Sequence, residues 1–223
     1  MMPTTMTMVY LADSRKIGAH CVAGKIWEGK NKGSWIRPIS DRENSALTSK
    51  DICYRNGRMP NLLDIISFAV KKPAPVNHQQ ENWIIDETAH WKKEGELKVN
   101  QLADLCDNTR ALWVNGYSST FGENDKVPTE IAYKKITSSL LLIQPEDASY
   151  KVGIEYNKKK VRAIFDFQKS NHVITVTDNS AEQYYLAKKV GIYKERSFPT
   201  YYCVSLAGDL NGYCYKLIAG IIQ

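Results

Sequence analysis

Residues 20–39 read HCVAGKIWEGKNKGSWIRPI. Two runs rich in apolar, β-branched and aromatic residues, 20–26 and 34–39, flank the polar, glycine-bounded segment 28–33. That is the pattern of two strands joined by a turn. A further β-rich run at 6–12 precedes them, and three strands at this spacing suit a small barrel or sandwich. Residues 41–60 are polar and irregular, punctuated by Gly57 and Pro60. The next run, LLDIISFAV at 62–70, predicts a strongly apolar strand, which Pro73 and Pro75 end because proline cannot donate to a ladder. A short strand is expected at 82–86. Over 99–113, Val99, Leu102, Ala103, Cys106, Arg110 and Trp113 recur at three- and four-residue steps, which predicts an amphipathic helix.

The segment VNGYSSTFGENDKV at 114–127 is rich in glycine, serine and asparagine and reads as a linker. Beyond it the strand rhythm resumes at 138–143, 150–156, 161–168 and 172–177. Within 161–168, Val161, Ala163, Phe165 and Phe167 alternate with polar residues, the period of a half-buried strand, and 157–160 predicts the hairpin connection before it. Residues 181–190 have helical composition, with Asp178 and Ser180 as cap candidates and Gly191 as a stop. Runs at 200–206 and 213–222 form a closing pair. Along the second of these, Tyr213 and Tyr215 share a face with Leu217, Ala219 and Ile221, and this face is expected to be the packed one, with Lys216 opposite.

No βαβα alternation is present, which argues against a doubly wound parallel sheet. The expectation is a mainly β chain of two tandem OB-like five-stranded β-barrels, each with an accessory helix. The boundaries read as 5–113 for the first domain, 114–135 for the linker and 136–222 for the second. An immunoglobulin-like sandwich accommodates the helices less well.

The net charge is +6, with an excess of three cations on either side of Trp113, a mild bias toward polyanionic partners. Five scattered cysteines without a CxxC pair suggest reduced thiols and a cytoplasmic location. No apolar run is long enough to span a bilayer, and no basic, apolar leader opens the chain. His20, Cys21, Cys53, Cys106 and His172 lack the spacing of a metal centre, and no P-loop, GxSxG or GxGxxG implies a cofactor. Asp86 with Glu96-Leu97-Lys98 has the spacing of a restriction-type nuclease, but that fold needs a central mixed sheet.

Trp35 and Arg37 lie two apart on a strand and leave the same face. An indole to stack on a base beside a guanidinium to hold phosphate would suit a binder of single strands, with Lys30 and Lys32 in the adjoining turn. The competing reading buries Trp35 at a barrel end and pairs Arg37 with Asp41 or Asp64. His78 and Asn82, with Glu81, could read a base edge, including that of a modified or flipped base, or could stabilise a turn. Lys158, Lys159 and Lys160 could track a phosphate backbone from a hairpin tip, or form a solvated turn.

Several segments together resemble the bacterial dual OB-containing domain family. They are Cys21-Val22-Ala23-Gly24, Trp35-Ile36-Arg37-Pro38-Ile39-Ser40, Leu63-Asp64-Ile65-Ile66 and His78-Gln79-Gln80-Glu81-Asn82, then Val176-Thr177-Asp178, Val204-Ser205-Leu206 and the run from Tyr215 to Ile222. Gln80 stands where the family pattern favours proline. The resemblance implies two OB folds and nucleic-acid binding in a prokaryotic conflict or defence system, with no catalytic residue to carry over. The resulting expectation is a binder of single-stranded, unpaired or modified nucleic acid, with no cofactor, no metal and no membrane. Its rivals are a nucleic-acid-processing enzyme using His78, Glu81, Asp64 or Asp178, and an adaptor for a protein partner encoded nearby.

Overall fold

The computed structural model describes residues 4–16, 18–194 and 199–223. They form two compact units, one ending at Leu105 and the other beginning at Cys106. The first contains β1 (Thr4–Lys16), β2 (Ala19–Ile26), β3 (Trp35–Ile39), β4 (Asp64–Pro73), β5 (Asn82–Ile85) and β6 (Lys92–Glu96), with the short helix α1 (Ser49–Ile52) between β3 and β4. Five strands close into a ring in the order β1-β2-β3-β5-β4 and back to β1, and only β3 and β5 run parallel. β4 borders β6 along its first half and β5 along its second. Met8 and Tyr10 on β1, Val22 on β2, Ile36 on β3 and Ile66, Phe68 and Val70 on β4 alternate into the interior and form one buried cluster with Ile85 and Trp91. Each such side chain contributes about 1.5–3 kcal/mol by leaving water.

At Gly24, β2 lies close against the β1 backbone. The glycine pairs with Tyr10 beside a register shift, and a Cβ placed there would sit 2.0 Å from the Val9 carbonyl oxygen. The backbone approach that lets β1 bend between two partners therefore requires a residue without a side chain.

The second unit contains β7 (Lys126–Pro128), α2 (Thr129–Lys135), β8 (Leu140–Ile143), β9 (Glu146–Glu155), β10 (Lys158–Phe167), β11 (Ser170–Val176), α3 (Asn179–Leu186), β12 (Gly191–Lys194), β13 (Tyr201–Leu210) and β14 (Tyr213–Ile222). The sheet runs β12-β9-β10-β11-β14-β13-β8, with β7 on β14 and a parallel β11–β14 pair. Val161, Ala163, Phe165 and Phe167 line its core as the alternation predicts, and Tyr185 of α3 stacks on Tyr150 at 4.4 Å between ring centroids. Asp178 caps α3 by accepting from the Ala181 N–H at 2.8 Å.

Four expectations change. Residues 99–113 are not a helix: they hold two short 3₁₀ turns, Val99–Gln101 and Ala103–Leu105, and then an irregular path. The Asp107-Asn108-Thr109 cluster offers the backbone other partners: the Asp107 carboxylate accepts from the Leu142 N–H at 2.7 Å, and the Thr109 hydroxyl donates to the Ala111 carbonyl at 2.7 Å. The presumed linker 114–135 is folded into the second unit, through β7, α2 and Asp125, which accepts from the Ser119 N–H and pairs with Arg162. Lys158, Lys159 and Lys160 lie in β10 rather than at a tip, because the turn is made by Tyr156 and Asn157, both at positive φ. On β14 the buried face is that of Cys214, Lys216 and Ile218, and Tyr213 and Tyr215 are only half-buried. The Lys216 ammonium tolerates the interior by donating to the Val114 carbonyl at 2.7 Å.

Replacing Gly24 with alanine is expected to destabilise the chain by about 1–3 kcal/mol or more, read from the midpoint of urea unfolding. His172 is fully buried against Phe165, and neither ring nitrogen has a hydrogen-bond partner among the described residues. Burial, reinforced by the nearby Lys216, pushes its pKa down to about 4. In the unfolded chain it takes up a proton near pH 6.5, so its contribution is complete above that pH and is lost as pH falls toward 4. Burial also lowers Lys216 to about 7, so its contribution fades earlier, as pH falls from its unfolded value toward 7. A His172→Phe variant should show a shallower loss of urea midpoint between pH 6.5 and 4 than the parent chain.

Candidate nucleic-acid interface

The β2–β3 hairpin gathers two indoles and three lysines. Lys25 is paired directly opposite Trp35 across the two strands. Its ammonium lies 5.2 Å from the centroid of the Trp35 ring and donates to the Leu105 carbonyl at 2.7 Å. The lysine is 5% exposed, so it covers part of the indole and holds its orientation, while Trp35 is half-buried. Trp27, just beyond β2, is also half-buried, and Lys32 lies 4.9 Å from its ring centroid. The Trp27 N–H donates to the Thr7 carbonyl at 2.8 Å, and the Gly33 N–H to the Ile26 carbonyl at 2.8 Å, which fix the base of the turn. Lys30 and Lys32 are exposed on it. A shallow cleft of about 280 Å³ runs between this turn and residues Thr4 to Thr7 of β1.

Arg37 does not stand beside Trp35 in solvent. It is 4% exposed, and its guanidinium lies 3.3 Å from Glu81, itself 6% exposed. The segment after β4 folds back over β3: the Arg37 N–H donates to the Glu81 carbonyl and the Ala74 N–H to the Asn82 carbonyl, each at 2.8 Å. The ion pair expected with Asp41 or Asp64 is therefore made with Glu81. Asp64 is occupied elsewhere, accepting from Tyr54 and pairing with Lys93. His78 and Asn82 are 1% and 4% exposed, so neither presents its side chain on the surface. The Asn82 amide donates to the Gln79 side chain at 3.5 Å.

In the second unit Lys159 is a capping residue, donating to the carbonyls of Leu186 and Lys188 at the end of α3, where the helix dipole favours a cation. Lys158 is exposed and Lys160 half-buried on the same strand. Asp178 and Asp64, two of the catalytic alternatives, are thus both engaged in holding backbone in place. No group of three or more histidine, cysteine or carboxylate side chains is placed to hold a metal among the described residues.

Sequence reading misses Trp27 and Lys25. The signal is there: residues 25 and 27 share the outward face defined by the inward Val22, Gly24 and Ile26. Replacing Arg37 with alanine should cost about 3–5 kcal/mol of stability, measured by chemical denaturation, because a buried charge loses its ion-pair partner. A variant as stable as the parent would mean that the pair holds nothing together.

No helix among the described residues is long and apolar enough to cross a membrane. No curated protein matches the chain. Among solved structures, the tetrameric p202 HIN2 crystal structure is similar at 7% identity and a TM-score of 0.34, covering 100% of this chain and 96% of that one. A likeness that slight bears on neither fold nor function. The family model for the dual OB-containing domain matches residues 6–221, in keeping with the five-strand ring and its parallel β3–β5 pair, and the chain belongs to the dual OB-containing domain family.

Proposed function

We propose that the protein binds single-stranded or unpaired nucleic acid through the β2–β3 face of its first barrel. The observation that carries this reading is the pair of half-buried indoles, Trp27 and Trp35, flanking a turn that presents the exposed Lys30 and Lys32. OB barrels bind strands on this surface, where bases stack on aromatic rings and cations follow the phosphates. Trp35 is held by Lys25, so little side-chain freedom is lost when a base covers it. Arg37 positions the loop over β3 and has no part in phosphate contact, and the same holds for His78 and Asn82 at the base edge. In the second unit, Lys158 and Lys160 add positive potential, while Lys159 serves α3. All five cysteines are free, in keeping with a cytoplasmic setting, and the family resemblance suggests a prokaryotic defence system as the context.

Fluorescence anisotropy with labelled single-stranded DNA and RNA tests the proposal. Affinity should fall steeply with salt. Trp27→Ala and Trp35→Ala should each weaken binding by about 1–3 kcal/mol. Lys30→Ala and Lys32→Ala should each reduce the salt slope by about 1, uniformly across sequences. Unchanged affinity in both tryptophan variants would overturn the stacking role, and absence of oligonucleotide binding would overturn the proposal as a whole.

A further inference from the structure

The first unit carries a second concave surface, away from the hairpin. It lies between the segment following α1 and the start of β6, and encloses about 780 Å³. The two sites lie at different levels of β1: the hairpin turn sits beside Thr7, whereas Leu63, at the edge of the cleft, donates to the Tyr10 carbonyl. They share no lining residue.

The cleft is a built structure. Residues 54–58 form a tight turn, closed by the Gly57 N–H donating to the Tyr54 carbonyl at 2.8 Å, with Gly57 at φ +78°. The Tyr54 N–H donates to the Arg58 carbonyl at 2.9 Å, and the Arg58 N–H to the Asn56 side chain at 3.1 Å. Beneath them Asp64, 1% exposed, accepts from the Tyr54 hydroxyl at 2.6 Å and the Asn61 N–H at 3.0 Å, and pairs with Lys93 at 2.5 Å. One buried carboxylate thus ties together three parts of the wall. Trp91 closes the back, fixed against Phe68 and Tyr10 at 5.1 and 6.3 Å between ring centroids. Tyr54 and Met59 remain half-buried on the wall.

The charge at the mouth is unbalanced. Arg55, Arg58, Lys92 and Lys93 line the cleft against Asp64 alone. Lys92 and Lys93 are drawn toward Glu94 and Glu96, but the guanidiniums of Arg55 and Arg58 are exposed and make no ion pair among the described residues. Two unpaired guanidinium forks on one rim match the several oxygens of a phosphate, each fork able to form two parallel hydrogen bonds. A volume of this size holds a molecule of roughly nucleotide dimensions, and the flat Tyr54 ring with the adaptable Met59 suits a planar base.

We infer that this cleft binds a nucleoside phosphate, with Arg55 and Arg58 on the phosphate and Tyr54 and Met59 against the base. The phosphate is carried either by a free nucleotide or by the 5′ end of a strand, and the same chemistry recognises both. The inference does not rest on the role given to the hairpin.

Isothermal titration calorimetry of the full chain with AMP, GMP, adenosine and inorganic phosphate is the test. Saturable binding of AMP or GMP is expected, with adenosine and phosphate each weaker by about tenfold or more, since each makes only part of the contact. Arg55→Glu and Arg58→Glu lie at exposed positions and should keep the parent melting temperature while losing about tenfold or more in nucleotide affinity. A 5′-phosphorylated oligonucleotide is compared with its 5′-hydroxyl counterpart in the Trp27→Ala, Trp35→Ala background, where hairpin binding is weakened. A preference for the phosphorylated end that disappears in Arg55→Glu assigns the cleft to strand ends, and equal binding of the two assigns it to free nucleotides. No saturable heat with AMP, GMP or the phosphorylated strand would overturn the inference, as would unchanged affinity in both arginine variants. A loss of nucleotide binding in the two tryptophan variants would place the contact at the hairpin and overturn it as well.

Discussion

The first unit depends on β1 being paired along both edges. β2 takes one side, with Met8 opposite Ile26, and β4 takes the other, with Met8 opposite Ile66. The two ladders overlap at Met8 and Val9, and because β1 hands over there from one neighbour to the other, the strands are drawn into a ring rather than a flat sheet. The bend this demands is concentrated at the register shift after Tyr10, where Gly24 lets the β2 backbone reach the Val9 carbonyl. Closure turns every second residue inward, so Met8, Tyr10, Ile66 and Phe68 meet in one core. The alternate residues, Lys25 and Trp35 among them, lie on the outer face, where Lys25 is covered and Trp35 half-buried.

The two proposed sites solve different problems with related parts. On the hairpin, cations approach the ring planes, and the lysine over Trp35 is itself almost fully buried. Such a surface favours a stacked base and tolerates any sequence, because every base has a π-face. In the cleft the arginines are exposed at the lining, and an interior carboxylate stiffens the wall. That arrangement selects for a terminal phosphate, which offers more oxygens than a phosphodiester within a strand.

Strand positions were largely legible in the sequence, since alternation and proline stops report a local property of the chain. Residues 161–168 show this best: the predicted inward set of Val161, Ala163, Phe165 and Phe167 is the observed one. The failures have a common cause in tertiary partners that no local pattern encodes. The periodicity at 99–113 was real, but Asp107 bonds to the distant Leu142 instead of continuing a helix. On β14 the tyrosines looked like core residues, yet Lys216 took the inner face because the Val114 carbonyl waits there. The outward position of Trp35 on β3 is readable from spacing alone. The burial of Arg37 is not, because Glu81 reaches it from a loop more than forty residues later.

In the second unit, β9, β10 and β11 succeed one another through two-residue turns, at Tyr156-Asn157 and Gln168-Lys169, and β13 joins β14 through Asn211-Gly212, each residue at positive φ. Hairpins of this kind form on the microsecond scale from neighbouring residues alone. The parallel register of Thr175 with Leu217 is different: it spans about 40 residues and must close a long loop before any contact rewards it. The β8–β13 and β7–β14 pairings bridge still longer stretches of chain, so bringing these distant strands together, rather than forming the hairpins, is expected to pace the assembly of this sheet.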